Sequence, residues 1–134
     1  MSDRPDEGLL DTCVFIDLRT LDSESLPRSI RVSSITFAEL GMGIAMAATP
    51  VVKALRTEHF GAANAVLDPL PFDADAARRF TTIAELVVAA GRNPKPRKND
   101  LMIAAIASVN GLPLYTRNSG DFIDLEQVLT VVSV

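Results

Sequence analysis

The chain is expected to fold as a three-layer α/β domain, a mainly parallel central sheet flanked by helices. Three observations lead there. Short apolar runs such as Leu9-Leu10 and Leu112–Thr116 are too brief for helices and suit strands buried on both faces. They alternate with longer segments of helical periodicity. One of those segments, Leu101 to about Val109, is apolar nearly all round, as a central helix should be.

In order, residues 1–7 are polar, contain Pro5 and read as a flexible N-terminal tail, leaving 8–134 as one domain. A strand at Leu9-Leu10 passes at Asp11 into a short helix from Thr12 to about Leu21, broken by residues 22–27. Residues 30–34 alternate and predict a second strand, and Thr36–Glu39 open a helix reaching about Ala47. Thr49-Pro50 is a helix start signal; the stripe Val52, Leu55, His59, Ala62, Ala63, Val66 follows it. Leu70–Phe72 fits a short edge strand. Asp73 caps an amphipathic helix that Gly91 ends. Residues 91–99 form a stiff basic loop before the helix at Asp100, Asn110-Gly111 stops that helix, and strands at 112–116 and 128–132 complete the domain.

Composition narrows the function. Of 134 residues, 48% are hydrophobic and 22% charged, so the chain is globular, and its net charge of −4 argues against a non-specific DNA coat. The single cysteine, Cys13, forms no internal disulfide and suits a reducing cytoplasm. There is no signal-peptide pattern and no apolar run near the roughly 20 residues of a membrane span, so no membrane association is expected.

Four acids fall where an α/β sheet gathers groups for a ligand, at the carboxyl ends of its strands. Asp11 ends the first strand, Glu39 lies in the first turn after the second, Asp100 begins the apolar helix and Asp121 lies in the loop after 112–116. Each has a plainer reading: Asp11 as a helix cap, Glu39 as partner of Thr36 in a capping box, Asp100 as a dipole complement, Asp121 as a turn residue. Four like charges at one edge repel, however, and a hard divalent cation with oxygen ligands, Mg²⁺ or Mn²⁺, relieves that.

The stretches Leu10-Asp11-Thr12, Thr36-Phe37-Ala38-Glu39-Leu40, Asn99-Asp100-Leu101-Met102-Ile103-Ala104-Ala105 and Thr116-Arg117-Asn118-Ser119-Gly120-Asp121-Phe122 carry a family resemblance. In that order they resemble the four signature blocks of PIN-domain ribonucleases, over about residues 8 to 134. More narrowly, the chain resembles the toxin of a bacterial VapBC toxin–antitoxin pair. The resemblance implies a PIN-like nuclease domain, Mg²⁺ or Mn²⁺ held by Asp11, Glu39, Asp100 and Asp121, cleavage of single-stranded RNA, and a small antitoxin as partner. Cys13 stands where serine is more usual.

On that reading water attacks a phosphodiester, with Asp11 and Asp100 as direct ligands, Glu39 as ligand or water-orienting base, and Asp121 reaching the ion directly or only through water. Thr12, Thr116 and Asn118 bind waters or phosphate, or serve only as turn and cap residues. Arg117 holds substrate phosphate or balances the acids. The basic residues of 92–98 contact RNA or are merely solvated. Apolar residues around 12–21 and 36–66, Met42, Met46 and Phe60 among them, are expected to meet a second copy of the chain and an antitoxin helix.

His59 sits on an apolar stripe and is expected to pack, since no Gly-x-Ser-x-Gly elbow accompanies it. Gly41-Met42-Gly43 lacks the third glycine of a dinucleotide loop. A non-catalytic PIN-like binding module is the main alternative. A phosphotransferase with an aspartyl nucleophile is weaker, because Cys13 stands where a second acid would be. A receiver domain would carry a lysine near the last strand, and 128–134 has none.

Overall fold

A computed structural model describes residues 4–134. Four strands, β1 (Glu7–Leu10), β2 (Ser29–Arg31), β3 (Leu114–Thr116) and β4 (Val131–Ser133), form a sheet in the order β2-β1-β3-β4. Every pairing is parallel: Gly8 faces Ile30, Leu9 faces Leu114, and Tyr115 faces Val132. Helices α1 (Thr12–Ile16), α2 (Ser34–Ala45), α3 (Pro50–Val66), α4 (Ala74–Ala89) and α5 (Lys98–Val109) cover its two faces.

The pleat divides the core. Leu9 and Leu114 point into one cluster with Ile83 and Val87 of α4 and with α5; Leu10 and Tyr115 point into the other with Val14, Phe15 and Ala63. α5 supplies six buried residues, Leu101 and Ile103–Ala107, which is why its sequence shows no polar face. Gly91 and Gly111 end α4 and α5 at φ 81° and 65°, a left-handed backbone that other residues rarely adopt. Among the described residues no helix is long and apolar enough to cross a membrane.

Several boundaries differ from expectation. The tail expected over 1–7 is ordered from residue 4 onward: Glu7 opens β1, and the Pro5 and Asp6 carbonyls accept hydrogen bonds from the Arg28 and Ser29 amides at 3.2 and 2.8 Å. Residues 1–3 of that tail lie outside the described residues. α1 stops at Ile16 and continues only as a 3₁₀ turn, Leu18–Thr20; Thr12, Val14 and Ile16 are β-branched and weak helix formers. The second strand is shorter and earlier than 30–34 because Ser33 leaves it to cap α2, its Oγ accepting from the Thr36 amide at 3.1 Å. The edge strand expected at 70–72 shrinks to one parallel bridge, Ser33 with Leu70. The last strand is not 128–132, since the amides of Val128 and Leu129 turn back to the Leu125 carbonyl.

Candidate active site

From β1 the chain crosses to β2 on one side, and later to β3 on the other. The carboxyl ends of β1 and β3 therefore flank the point where the winding reverses, where open α/β sheets bind ligands. Asp11 follows β1 there, with its amide bonded to the Tyr115 carbonyl at 2.9 Å, and Thr116 ends β3. Asp11 is 4% exposed. Its Oδ1 accepts from the Thr12 amide at 2.9 Å, and its Oδ2 from Thr116 Oγ1 at 2.9 Å. Asp11 is thus the cap of α1 as well as a site acid. Thr116 Oγ1 in turn accepts from the Asn118 amide at 3.0 Å, and Cys13 Sγ lies 3.7 Å from Asp11 Oδ2.

Glu39 arrives from α2, which starts two residues earlier than expected, at Ser34. Thr36 is therefore not the helix cap, and the capping-box reading of Glu39 falls away. A row of hydroxyls holds Glu39 instead. Ser33 Oγ donates to Thr36 Oγ1 at 3.3 Å, Thr36 and Thr12 share a hydrogen at 2.9 Å, and Thr12 Oγ1 donates to Glu39 Oε1 at 2.6 Å. Since Thr12 gives its hydrogen to Glu39, Thr36 is the donor in the middle bond. Ser33 and Thr36 are fully buried; sequence reading treated them only as strand and helix-start residues.

Asp100 lies in the first turn of α5 rather than at its opening. Burial, followed by the charges of Asp11, Glu39 and Asp121, pushes its carboxyl up to about 6. Burial likewise raises Asp11, against the hydrogen bonds from Thr116 and the Thr12 amide, with the Glu39 charge adding to the rise. The four acids share one electrostatic field. Asp121 sits in a 3₁₀ turn, Ser119–Phe122, and Arg97 pairs with it at 3.3 Å while also reaching its carbonyl. Arg97 had stood out only as part of a basic loop.

The structure does not bring Arg117 to the acids: its guanidinium pairs with Asp17 at 2.6 Å. The Asn118 side chain faces Cys13 Sγ at 4.0 Å. Burial, with the Asp11 charge as a lesser contribution, raises the Cys13 thiol, leaving it a poor nucleophile.

Among the described residues no three His, Cys, Asp or Glu side chains close into a metal cage. Glu39 is held by Thr12 and Asp121 by Arg97, so the four acids do not converge as a ready-made set of ligands. That suits a hard cation bound through one or two carboxylates, its other positions left to water or substrate phosphate. The all-oxygen donor set and the raised Asp100 fit such an ion.

No protein-family model matches the chain. It is 37% identical to Ribonuclease VapC5 of Mycobacterium tuberculosis over 134 residues, which span 98% of this chain and 96% of that protein. Its fold matches the crystal structure of a VapBC family member, VapBC-5 from M. tuberculosis, at a TM-score of 0.85 with 35% identity, covering 97% of this chain and 100% of that one. It also matches VapBC2 from Rickettsia felis at a TM-score of 0.76, covering 96% of this chain and 98% of that one; identity there is 22%, so this likeness concerns the fold alone. With the acids at the sheet's switch point and a relative matched end to end, the chain belongs to the VapC ribonuclease family of VapBC toxin–antitoxin systems.

Proposed function

We propose that this chain is a Mg²⁺- or Mn²⁺-dependent endoribonuclease that cuts single-stranded RNA by water attack on a phosphodiester, acting in the cytoplasm as the toxin of a pair. The observation that carries this reading is Asp11 at the sheet's switch point, with Glu39, Asp100 and Asp121 near enough to act on one another's charge, in a chain 37% identical to a ribonuclease along its length. Such repulsion destabilises a fold unless a cation or a reaction uses it.

Asp11 and Asp100 would hold the ion, the one fixed by Thr12 and Thr116, the other by the rigid start of α5. When bound, the ion offsets charge developing on the phosphate and makes water more acidic. Glu39, anchored through Oε1, turns Oε2 to the attacking water and takes its proton. Asp121, paired with Arg97 at 3.3 Å, would support the ion from the edge of the site. The partners are a small co-encoded antitoxin and a second copy of this chain, both seated on apolar surface that α1, α2 and α3 leave open: Ile16, Met46, Leu55 and Val66 are all more than half exposed.

Asp100→Asn tests the reading. It keeps size and removes one charge, so the circular dichroism spectrum should stay native while Mn²⁺-dependent cleavage of single-stranded RNA falls by at least about a hundredfold, the smallest loss in keeping with a metal-ligand role. Full cleavage by the folded variant would remove Asp100 from the site, whereas no cleavage by the wild type with Mn²⁺ would leave a binding module as the better description.

A further inference from the structure

Two clefts meet edge to edge beside the acids, between α2, α5 and the turn that precedes α5. One is polar, with Lys95, Arg97 and Lys98 facing Glu39 and Asp100. The other is apolar, formed by Ile35, Ala38, Met42 and Met102. Glu39 and Asn99 belong to both. We propose that the pair forms one nucleotide subsite flanking the scissile bond: the cationic cleft holds an RNA phosphate, the apolar cleft takes the adjoining base, and Asn99 at the seam reads its edge. This rests on the ribonuclease reading above and names how that site grips its substrate.

The charge distribution supports the first half. In a chain of net charge −4, four of the 13 lysines and arginines fall within residues 92–98. Lys95 and Lys98 are exposed, and among the described residues neither forms an ion pair. Pro94 and Pro96 stiffen the turn that carries them. Free cations on a stiff support beside a phosphodiester-cutting site position a backbone phosphate.

Chemistry supports the second half. Single-stranded RNA is recognised through unstacked bases whose faces need an apolar platform. Methionine is polarizable and conforms to a flat ring, and Met42, 65% exposed, is available to one. Asn99 offers both a donor and an acceptor, the complement of a base edge. An apolar patch bounded by three cations and two carboxylates suits a charged, planar nucleotide better than the long apolar face of a protein helix.

The test uses the Asp100→Asn chain, so that RNA stays intact, and a short fluorescein-labelled single-stranded RNA with or without one abasic position, followed by anisotropy across a salt series. Lys98→Ala should lower the slope of log affinity against log salt by about 0.7. Met42→Ser should leave that slope unchanged and weaken binding roughly three- to tenfold, an effect that vanishes on the RNA whose missing base occupied the cleft. Asn99→Ala should flatten the preference among the four homopolymers. Equal losses on intact and abasic RNA, or no loss with Met42→Ser, would overturn the subsite. Parent binding that none of the substitutions alters would sink the subsite alone, whereas no RNA binding at all would remove the ribonuclease reading with it.

Discussion

The two faces of the sheet are finished to different degrees. On one, α4 and α5 close over Leu9 and Leu114, and α5 buries half of its 12 residues. On the other, α3 buries only Ala63 of its 17 residues, leaving Val51, Leu55 and Val66 at 70, 62 and 81% exposure. Between α1 and α3 an apolar groove stays open, where His59 stacks on Phe15 with ring centroids 5.4 Å apart. The closed face anchors Asp100, and the open one leaves its apolar side chains to solvent. On the proposed function, rigidity sits where charge would be held and exposed apolar area where a partner would dock.

The contrast breaks most visibly under core truncation. Ile103 is fully buried in α5, so Ile103→Ala should cost about 2–5 kcal/mol in urea unfolding. A cost below about 1 kcal/mol would mean that the closed face is as loosely packed as the open one.

A smaller effect sharpens the link between the closed face and the acids. The Asp100 carboxyl is raised in the folded state, from 3.8 to about 6, so between those values the folded chain binds more protons than the unfolded one. Without metal, its contribution favours folding below about pH 4 and is lost as pH rises to about 6, flattening above. The loss is on the order of 2 kcal/mol. Urea midpoints in EDTA from pH 4 to 7 should fall more steeply for the wild type than for Asp100→Asn; parallel curves would show that Asp100 is not strained by its neighbours. Saturating Mn²⁺ should reverse the slope, since it selects the deprotonated acid.

The least effect on stability belongs to the open face. Leu55→Ser should change unfolding by no more than about 0.5 kcal/mol while weakening self-association in sedimentation equilibrium or binding of the co-expressed antitoxin. A variant that destabilises the isolated chain but associates normally would show that Leu55 serves the fold and not a partner.

Legibility in the sequence followed the range of the interactions. α3 and α4 stand close to their expected limits because cap, proline, stripe and stop are local signals: Thr49 Oγ1 accepts from the Val52 amide at 3.2 Å, and Asp73 Oδ1 from Ala76 at 2.9 Å. The strands, only three or four residues long, are trimmed by register with distant partners, which no local pattern encodes. The acids were readable because they follow strand ends and helix starts. Their supports were not: Arg97 meets Asp121 across 24 positions and Thr116 meets Asp11 across 105, contacts that exist only after the sheet assembles. Arg117 was misplaced for the same reason, since its partner Asp17 lies 100 positions away.

The hydroxyl row from Ser33 to Glu39 works as a one-way device. Ser33 Oγ already accepts from the Thr36 amide, and its own hydrogen finds its acceptor in Thr36 Oγ1. Reversing the row would turn each hydroxyl backwards and leave the last hydrogen, on a fully buried serine, without an acceptor in the row, at a cost on the order of 1–3 kcal/mol. The two oxygens of Glu39 are therefore chemically unequal. Oε1 carries the Thr12 hydrogen bond, so the row fixes how the Glu39 carboxylate is turned relative to α1.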